Sequence, residues 1–484
     1  MASFDFDIAV LGGGAAGLTI ASASAQLGAR TLLIEKEGRL GGDCLHYGCV
    51  PSKTLIKTAR VWHQARNAER YGLPGLELPP VDFRAVAARI QGVIDTIARH
   101  DSVERFCRLG VKVEFGQAEF RDEHTVRLNG RTYSAKTWVI ATGSSPASAP
   151  LAGLDRTPYI TNREIFSLER LPASLIFLGA GPVAVEMAQA FARLGSKVTV
   201  VQRSGQILGK EDRDLADLVQ AALEKEGVTC HLQATTLQVA ERGGEKEVII
   251  KKGEETMQLR AETLCVALGR EANVGGLGLE AIGIEFDKKG INVDHRLRTN
   301  HRHIYAAGDV NGRYQFTHAA GYEGGIVVSN ALFHLPRRVD YTFMPWCTYT
   351  DPELAGIGLN EAAARERGIK YSLWTEEFRT NDRCLAEGEE LGRIKLLLDE
   401  REKPLGVQIL GQHAGDLLNE WVAVLNGGVK LATLAQAVHP YPTLGEVNKK
   451  VVGTFFGKKI FSGKVKAVLK LFFNFKGRAC NPEN

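Results

Sequence analysis

No stretch of the chain approaches the roughly 18 consecutive apolar residues with which a helix spans a bilayer, so no membrane-spanning helix is expected. The opening Met-Ala-Ser-Phe-Asp-Phe-Asp lacks a positive region ahead of an apolar one, so it does not read as a secretory leader. Cysteine is sparse, at eight residues, and six of the eight are scattered, as in a cytoplasmic protein. Proline is also sparse, at 16, against 52 glycines that follow no three-residue period, which excludes collagen. Net charge is small, 60 basic against 56 acidic residues, and even that +4 is local. Eight Lys and one Arg, with no acid, lie between Lys449 and Arg478, leaving the rest of the chain near −5. A body of that charge gives no reason to expect a nucleic-acid partner. What is present is 484 residues, 44% of them hydrophobic, beyond the roughly 250–300 that one core can serve.

Two segments repeat one plan. In the first, the strand Asp7-Ile-Ala-Val-Leu leads into Gly12-Gly-Gly-Ala-Ala-Gly17, an Ala-rich helix from Leu18 to Leu27, and the strand Thr31-Leu-Leu-Ile-Glu35. Gly12 permits the tight turn, Gly14 lets a pyrophosphate approach the backbone, and Gly17 lets helix and strand pack closely. Glu35, about 20 residues on, ends the second strand where a carboxylate can hold ribose hydroxyls. The second copy runs from Ser174 to Gln202, with Gly179, Gly181 and Ala184 at the three turn positions. Its second strand ends in Gln202-Arg203-Ser204, with no acid for a ribose 2′-hydroxyl. Arg203 suits a 2′-phosphate, which favours NADPH over NADH. Two copies imply two nucleotide cofactors. Each is followed by a strand closing in a glycine turn, Thr137 to Gly143 and Thr263 to Gly269.

Gly41-Gly-Asp-Cys44-Leu-His-Tyr-Gly-Cys49-Val-Pro-Ser-Lys53 follows the first copy. Four intervening residues and the flanking glycines let the two sulfurs meet, and a helix N-terminus or nearby cation favours a thiolate. No second Cys or His pair has zinc-site spacing, so no resident metal is expected.

Over roughly residues 5–456 the chain resembles the flavoprotein disulfide reductases, which include dihydrolipoamide dehydrogenase, glutathione reductase and mercuric reductase. The resemblance rests on the segment from Cys44 through Cys49 to Lys53, on Ala141-Thr142-Gly143, on Ala307-Gly-Asp309 and on the Gly269-Arg270 turn. It implies an α/β fold of two Rossmann-like domains, for FAD and NAD(P), with a C-terminal α+β dimerisation domain. The expected boundaries are 1–150 and 276–342 for the FAD-binding parts and 151–275 for the NAD(P) domain. Residues 343–456 are expected to form the dimerisation domain and 457–484 a basic tail. It further implies a homodimer with its active site shared across the interface. FAD contacts are expected from Gly12, Gly14, Gly17, Glu35, Lys53, Thr142, Gly143 and Asp309. The nicotinamide nucleotide is expected at Gly179, Gly181, Glu186, Arg203 and Gly269. Lys53 and Glu186 correspond to the family's pair beside the flavin. Cys49 corresponds to its flavin-side thiol, and Cys44 to the thiol that attacks the substrate.

The chain leaves the commonest pattern at several points. Where dihydrolipoamide dehydrogenases and glutathione reductases carry a catalytic histidine, oriented by a glutamate, this chain has Tyr441 and Glu446, with His439 two residues earlier. Tyrosine, with a pKa near 10, is a poor base at neutral pH. Tyr441 and the Arg203-Ser204 pair resemble mercuric reductase instead, although the C-terminal vicinal cysteine pair of that enzyme is replaced by a single Cys480. Asp43 stands where threonine is usual. Cys347 and Cys384 read as packed thiols. The expected acceptor is a thiol-bound metal or small disulfide. The alternatives are a dihydrolipoamide dehydrogenase using His439 as base and, from another class, a membrane-associated redox or interaction subunit. From Gly463 to Lys476, Val465, Val468, Leu469 and Phe472 fall on one helical stripe. Such a basic amphipathic helix packs on its own dimer, or docks on a membrane surface or an acidic partner.

Overall fold

The computed structural model describes residues 4–480. The chain forms two compact units, residues 1–209 with 220–341, and residues 210–219 with 342–484. The two nucleotide-binding repeats therefore share one unit, and a short piece after the second repeat belongs with the C-terminal half.

The first unit is built on two sheets, one parallel and one mainly parallel with two antiparallel strands, Thr125–Leu128 and Glu119–Asp122, at one edge. In the latter, strands order as Val111–Phe115, Thr31–Glu35, Phe6–Leu11 and Arg131–Ile140, with Ile304–Ala306 against the last. Ile8, Ala9 and Val10 are inaccessible on both faces, which explains a continuous apolar run rather than an alternating one. In the other sheet the order is Thr229–His231, Lys197–Val201, Ser174–Leu178 and Thr263–Val266, all parallel. An antiparallel three-stranded meander, Ala234–Arg242, Glu245–Lys252 and Glu255–Ala261, forms a separate sheet and is inserted in the chain ahead of Thr263–Val266. The expected doubly wound α/β fold is present.

The glycine turns explain themselves sterically. Gly12 has φ +110°, and a Cβ there would lie 2.2 Å from the carbonyl oxygen of Ala141. Gly179 has φ +99°, with the carbonyl of Ala267 at 2.4 Å from the same hypothetical atom. Both repeats thus press their first glycine against the carbonyl that ends the neighbouring strand. The first helix spans Ala15–Gln26, three residues earlier than its apolar periodicity suggests, because Gly14 already serves as its N-cap. The second spans Pro182–Leu194, with Pro182 at a position where a missing N–H costs nothing.

The second unit has one antiparallel sheet, ordered Pro345–Thr348, Glu353–Gly358, Pro404–Gly411, Arg393–Leu398 and Ser372–Glu377. Helices Ala414–Asn426 and Glu446–Ile460 contribute Trp421, Val451 and Val452 to its core. Lys395 is fully buried there, its ammonium 2.9 Å from Asp212, 2.9 Å from Asp214 and 2.7 Å from Glu361. These carboxylates are spaced closely enough to hold a metal ion, but the lysine nitrogen already lies among them. Cys384 is buried in the same unit, as its packed reading expects, and Cys347 is half-buried. The final helix covers Gly463–Phe473 and stops short of Lys476 because Asn474 takes a left-handed conformation, φ +51°.

Candidate active site

Cys49 is the first residue of the helix Cys49–Arg66, and Cys44 lies in the short helix Gly42–His46 that precedes it. The sharp connection needs Gly48, where a Cβ would sit 3.0 Å from the Asp43 carbonyl oxygen. The two thiols are free, and Cys44 hydrogen-bonds to Cys49. Thr317, at the start of the helix Thr317–Leu332, brings its hydroxyl 3.6 Å from the Cys49 sulfur and also reaches Cys44.

The two sulfurs are made chemically unequal. The Cys44 hydrogen bond, the Thr317 hydroxyl and the Lys53 charge pull Cys49 down to about 6, against the opposing effects of burial and Glu186. The N-terminus of its own helix acts in the same direction. Cys44 is pushed far above the ordinary thiol range, first by hydrogen-bonding to Cys49 and then by burial. At neutral pH the reduced pair is a Cys49 thiolate accepting a hydrogen bond from the Cys44 thiol.

Lys53 follows Cys49 by one helical turn and so lies on the same face. Its ammonium is 2.8 Å from the buried carboxylate of Glu186, on the helix Pro182–Leu194. The two sequence motifs that supply these residues are therefore brought together. Asp43, the unusual acid beside Cys44, is matched by Arg270 at 3.0 Å. Arg270 also donates to the Ser144 hydroxyl at 2.7 Å, and Ser144 in turn donates to Asp309 at 2.6 Å. Burial raises the Asp309 carboxyl, while Ser144 and Arg270 oppose that rise. His46, between the cysteines, is held by the Leu40 carbonyl at 2.7 Å, and burial lowers its pKa, so it is neutral.

The dinucleotide ligands fit the residues present. Glu35 holds its carboxylate rigidly at the strand end, accepting from the backbone N–H of Gly13 at 2.6 Å and of Glu37 at 2.7 Å. Each oxygen keeps a lone pair for a ribose hydroxyl. Gly17 could not carry a side chain, since a Cβ would fall 1.8 Å from the Gly12 carbonyl oxygen. Gly143 and Gly269 both take positive φ, and Thr142 is anchored by donating to the Asn273 carbonyl at 2.7 Å. A Cβ at Gly181 would meet no heavy atom within 4 Å, so the backbone at that helix start is open to a pyrophosphate. Arg203 is exposed beyond the strand Lys197–Val201.

One element escaped the sequence reading. The helix Thr317–Leu332 supplies Thr317 to the sulfurs and, nearly two turns on, Glu323 to the Ala307-Gly-Asp309 turn. Glu323 is fully buried and accepts from the Gly308 backbone N–H at 2.7 Å, the Asn311 amide at 2.7 Å and the Tyr341 hydroxyl at 2.5 Å. No glycine fingerprint or local spacing marks this helix.

The residues 439–446 lie in the second unit, where their own contacts define them. The Tyr441 hydroxyl donates to Asp382 at 2.8 Å, and that bond raises its pKa further. The imidazole of His439 faces Glu420 at 2.9 Å and the Ala437 carbonyl at 3.4 Å. Glu446 begins the helix Glu446–Ile460 and accepts weakly, at 3.5 Å, from the Thr443 backbone.

Residues 6–324 match the sequence profile of the pyridine nucleotide-disulphide oxidoreductases, and residues 344–452 match the dimerisation domain of the same group. A mercuric reductase of Streptomyces lividans is 34% identical over 460 residues, covering 93% of this chain and 96% of its own length. A dihydrolipoyl dehydrogenase of Bacillus subtilis (strain 168) is 33% identical over 449 residues, 91% of this chain and 96% of its own. Among solved structures, the HOCl-induced flavoprotein disulfide reductase RclA from Escherichia coli superposes with a TM-score of 0.83 at 27% identity. That match covers 92% of this chain and 99% of RclA.

Proposed function

The chain belongs to the pyridine nucleotide-disulphide oxidoreductase family, whose members use FAD and NAD(P)H, and from that premise we propose an enzyme that reduces a thiol-bound metal ion or a small disulfide through Cys44 and Cys49. NADPH is the preferred reductant, a reading supported by the exposed Arg203 and the missing acid after the second nucleotide strand. The family's dimerisation domain supports a homodimer, and a cytoplasmic location is part of the same proposal.

When bound, flavin and nicotinamide would supply two electrons to the Cys44–Cys49 disulfide. With one proton, those electrons would give a Cys44 thiol and a Cys49 thiolate. The Cys49 thiolate is supported by the Cys44 thiol, Thr317 and Lys53. With a disulfide acceptor, Cys44 attacks one sulfur and expels the other as a thiolate, which takes the Cys44 proton. Cys49 next attacks the Cys44 sulfur, closing the internal disulfide and expelling the second thiolate, which takes a proton from solvent. Lys53 and Glu186 fix one another beside the redox helix, and Asp309 is held by Ser144.

One observation carries the choice of acceptor. The Tyr441 hydroxyl is tied to Asp382 with a raised pKa, and cannot take the Cys44 proton at neutral pH. A metal ion deprotonates the thiol that coordinates it, and the thiolate ligand it sheds takes that proton, so transfer of a thiol-bound metal to Cys44 and Cys49 places the least demand on that missing base, which favours a metal–thiolate complex. The dihydrolipoamide reading, with His439 as base, is weakened because both ring nitrogens of His439 face acceptors within its own unit.

The test is a panel of oxidants with NADPH and NADH: thiol-complexed Hg²⁺ and Cu²⁺, glutathione disulfide, lipoamide and oxygen. Metal–thiolate turnover should exceed lipoamide turnover by about 10²-fold, the usual contribution of a positioned base. Lipoamide as the better substrate, with its turnover lost in His439→Ala, would overturn the assignment. Cys44→Ser and Cys49→Ser should abolish acceptor turnover while bound flavin is still reduced by NADPH; unaffected turnover in either variant would refute the thiol relay.

A further inference from the structure

The segment beyond the matched dimerisation domain carries a surface that redox chemistry does not use. Its helix, Gly463–Phe473, has no buried residue. Val465 and Leu469 are half-buried, so the stripe read from the sequence divides, with Val468 and Phe472 turned out. Phe461, Leu471, Phe473 and Phe475 are also more than half exposed, and Leu471 and Phe472 reach 80% and 75%. Single exposed apolar residues are ordinary, but a cluster of aromatic and aliphatic side chains within 15 residues is not.

The cations divide in the same way. Lys459 is ion-paired with Glu402, Lys458 lies over Trp374 at 5.3 Å, and Lys449 and Lys450 donate to backbone carbonyls. Lys464, Lys466, Lys470, Lys476 and Arg478 have no carboxylate partner among the described residues. Five uncompensated positive charges and an exposed aromatic cluster therefore share one segment that contains no acid.

We propose that residues 460–478 dock the enzyme on an anionic lipid surface. Apolar side chains at 468, 471 and 472 enter the headgroup boundary, while the lysines, long enough to keep their ammonium groups in water, meet lipid phosphates. Charge complementarity decides this occupant: a second copy of the same segment would bring five cations against five. An acidic protein would match the charge but does not call for so many exposed aromatic rings. With no described helix able to span a bilayer, the attachment is peripheral.

The test uses the full-length FAD-loaded enzyme with sedimentable vesicles of phosphatidylcholine, alone or with increasing phosphatidylglycerol. Binding should rise with the anionic fraction and fall with salt. Lys466→Gln/Lys470→Gln should weaken binding by on the order of 25-fold, about five-fold for each charge removed. Leu471→Ser/Phe472→Ser should weaken it at every lipid composition, with NADPH-driven flavin reduction unchanged in both variants. Equal binding to neutral and anionic vesicles would overturn the proposal, as would wild-type binding by either variant. A change in particle mass by light scattering on Leu471→Ser/Phe472→Ser would also overturn it, assigning this face to contact between copies.

Discussion

Two donors and one ammonium charge converge on the Cys49 sulfur. Lys53 is one turn along the same helix, Cys44 is five residues away, and Thr317 is 268 residues away. Hydrogen bonds to a charged group are worth about 1.5–3 kcal/mol, so losing one moves a titration by about one pH unit or more. Thr317→Val should therefore move the Cys49 midpoint upward from about 6 by about one pH unit. The sign follows from what Thr317 stabilises: its hydroxyl favours the thiolate, so removing it favours the thiol. The pH dependence of iodoacetamide alkylation of the reduced enzyme reads this directly, and an unmoved midpoint would show that the Thr317 contact has no electrostatic weight. The cysteines and Lys53 were legible in the sequence because their spacing is short and chemically unusual. Thr317 was not, because a hydroxyl acquires this role only when a distant helix is packed against the redox loop.

The helix Thr317–Leu332 shows how one element can hold two parts of a site in register. Gly324 lets it lie against Thr19 of the first turn helix, where a Cβ would come within 3.0 Å of the threonine side chain. From that position Glu323 gathers three donors under the turn that carries Asp309. A glutamine at 323 offers one carbonyl in place of a carboxylate and turns an N–H₂ group toward at least one of those donors. A buried unsatisfied donor costs about 1–3 kcal/mol. Glu323→Gln should raise the FAD dissociation constant by about 10-fold or more, measured by the fluorescence of released flavin. Unchanged affinity would mean that the turn holds its shape without the carboxylate. At this scale the sequence was readable where a strand, a glycine turn and a helix follow one another. It was silent where a helix has an unremarkable sequence and its effect depends on what lies on each side. The tail helix is intermediate: its apolar period predicted a helix, but only the fold could divide the stripe into half-buried and exposed members.

Across the whole first unit, the same turn has been built twice, with Gly12 against the Ala141 carbonyl and Gly179 against that of Ala267. This duplication was the most legible feature of the chain, since its steric demands leave almost no choice of residue at Gly12, Gly17 and Gly179. The division into two units was less so: residues 210–219 join the C-terminal half through Lys395, whose partners Asp212 and Asp214 lie far from it in sequence. The paired turns also give the molecule a visible read-out. Each serves its own cofactor, and a Cβ at either first glycine collides with a backbone that cannot move aside cheaply. Gly12→Ala should yield a protein purified nearly without colour. Gly179→Ala should stay yellow, resist bleaching by NADPH, and bleach normally with dithionite. A yellow Gly12→Ala protein, or a Gly179→Ala protein that NADPH still bleaches, would show that the two turns are not independent seats. If they are, a single methyl group at one or the other position separates pigment from reductant, and the two halves of the electron path can be told apart by eye.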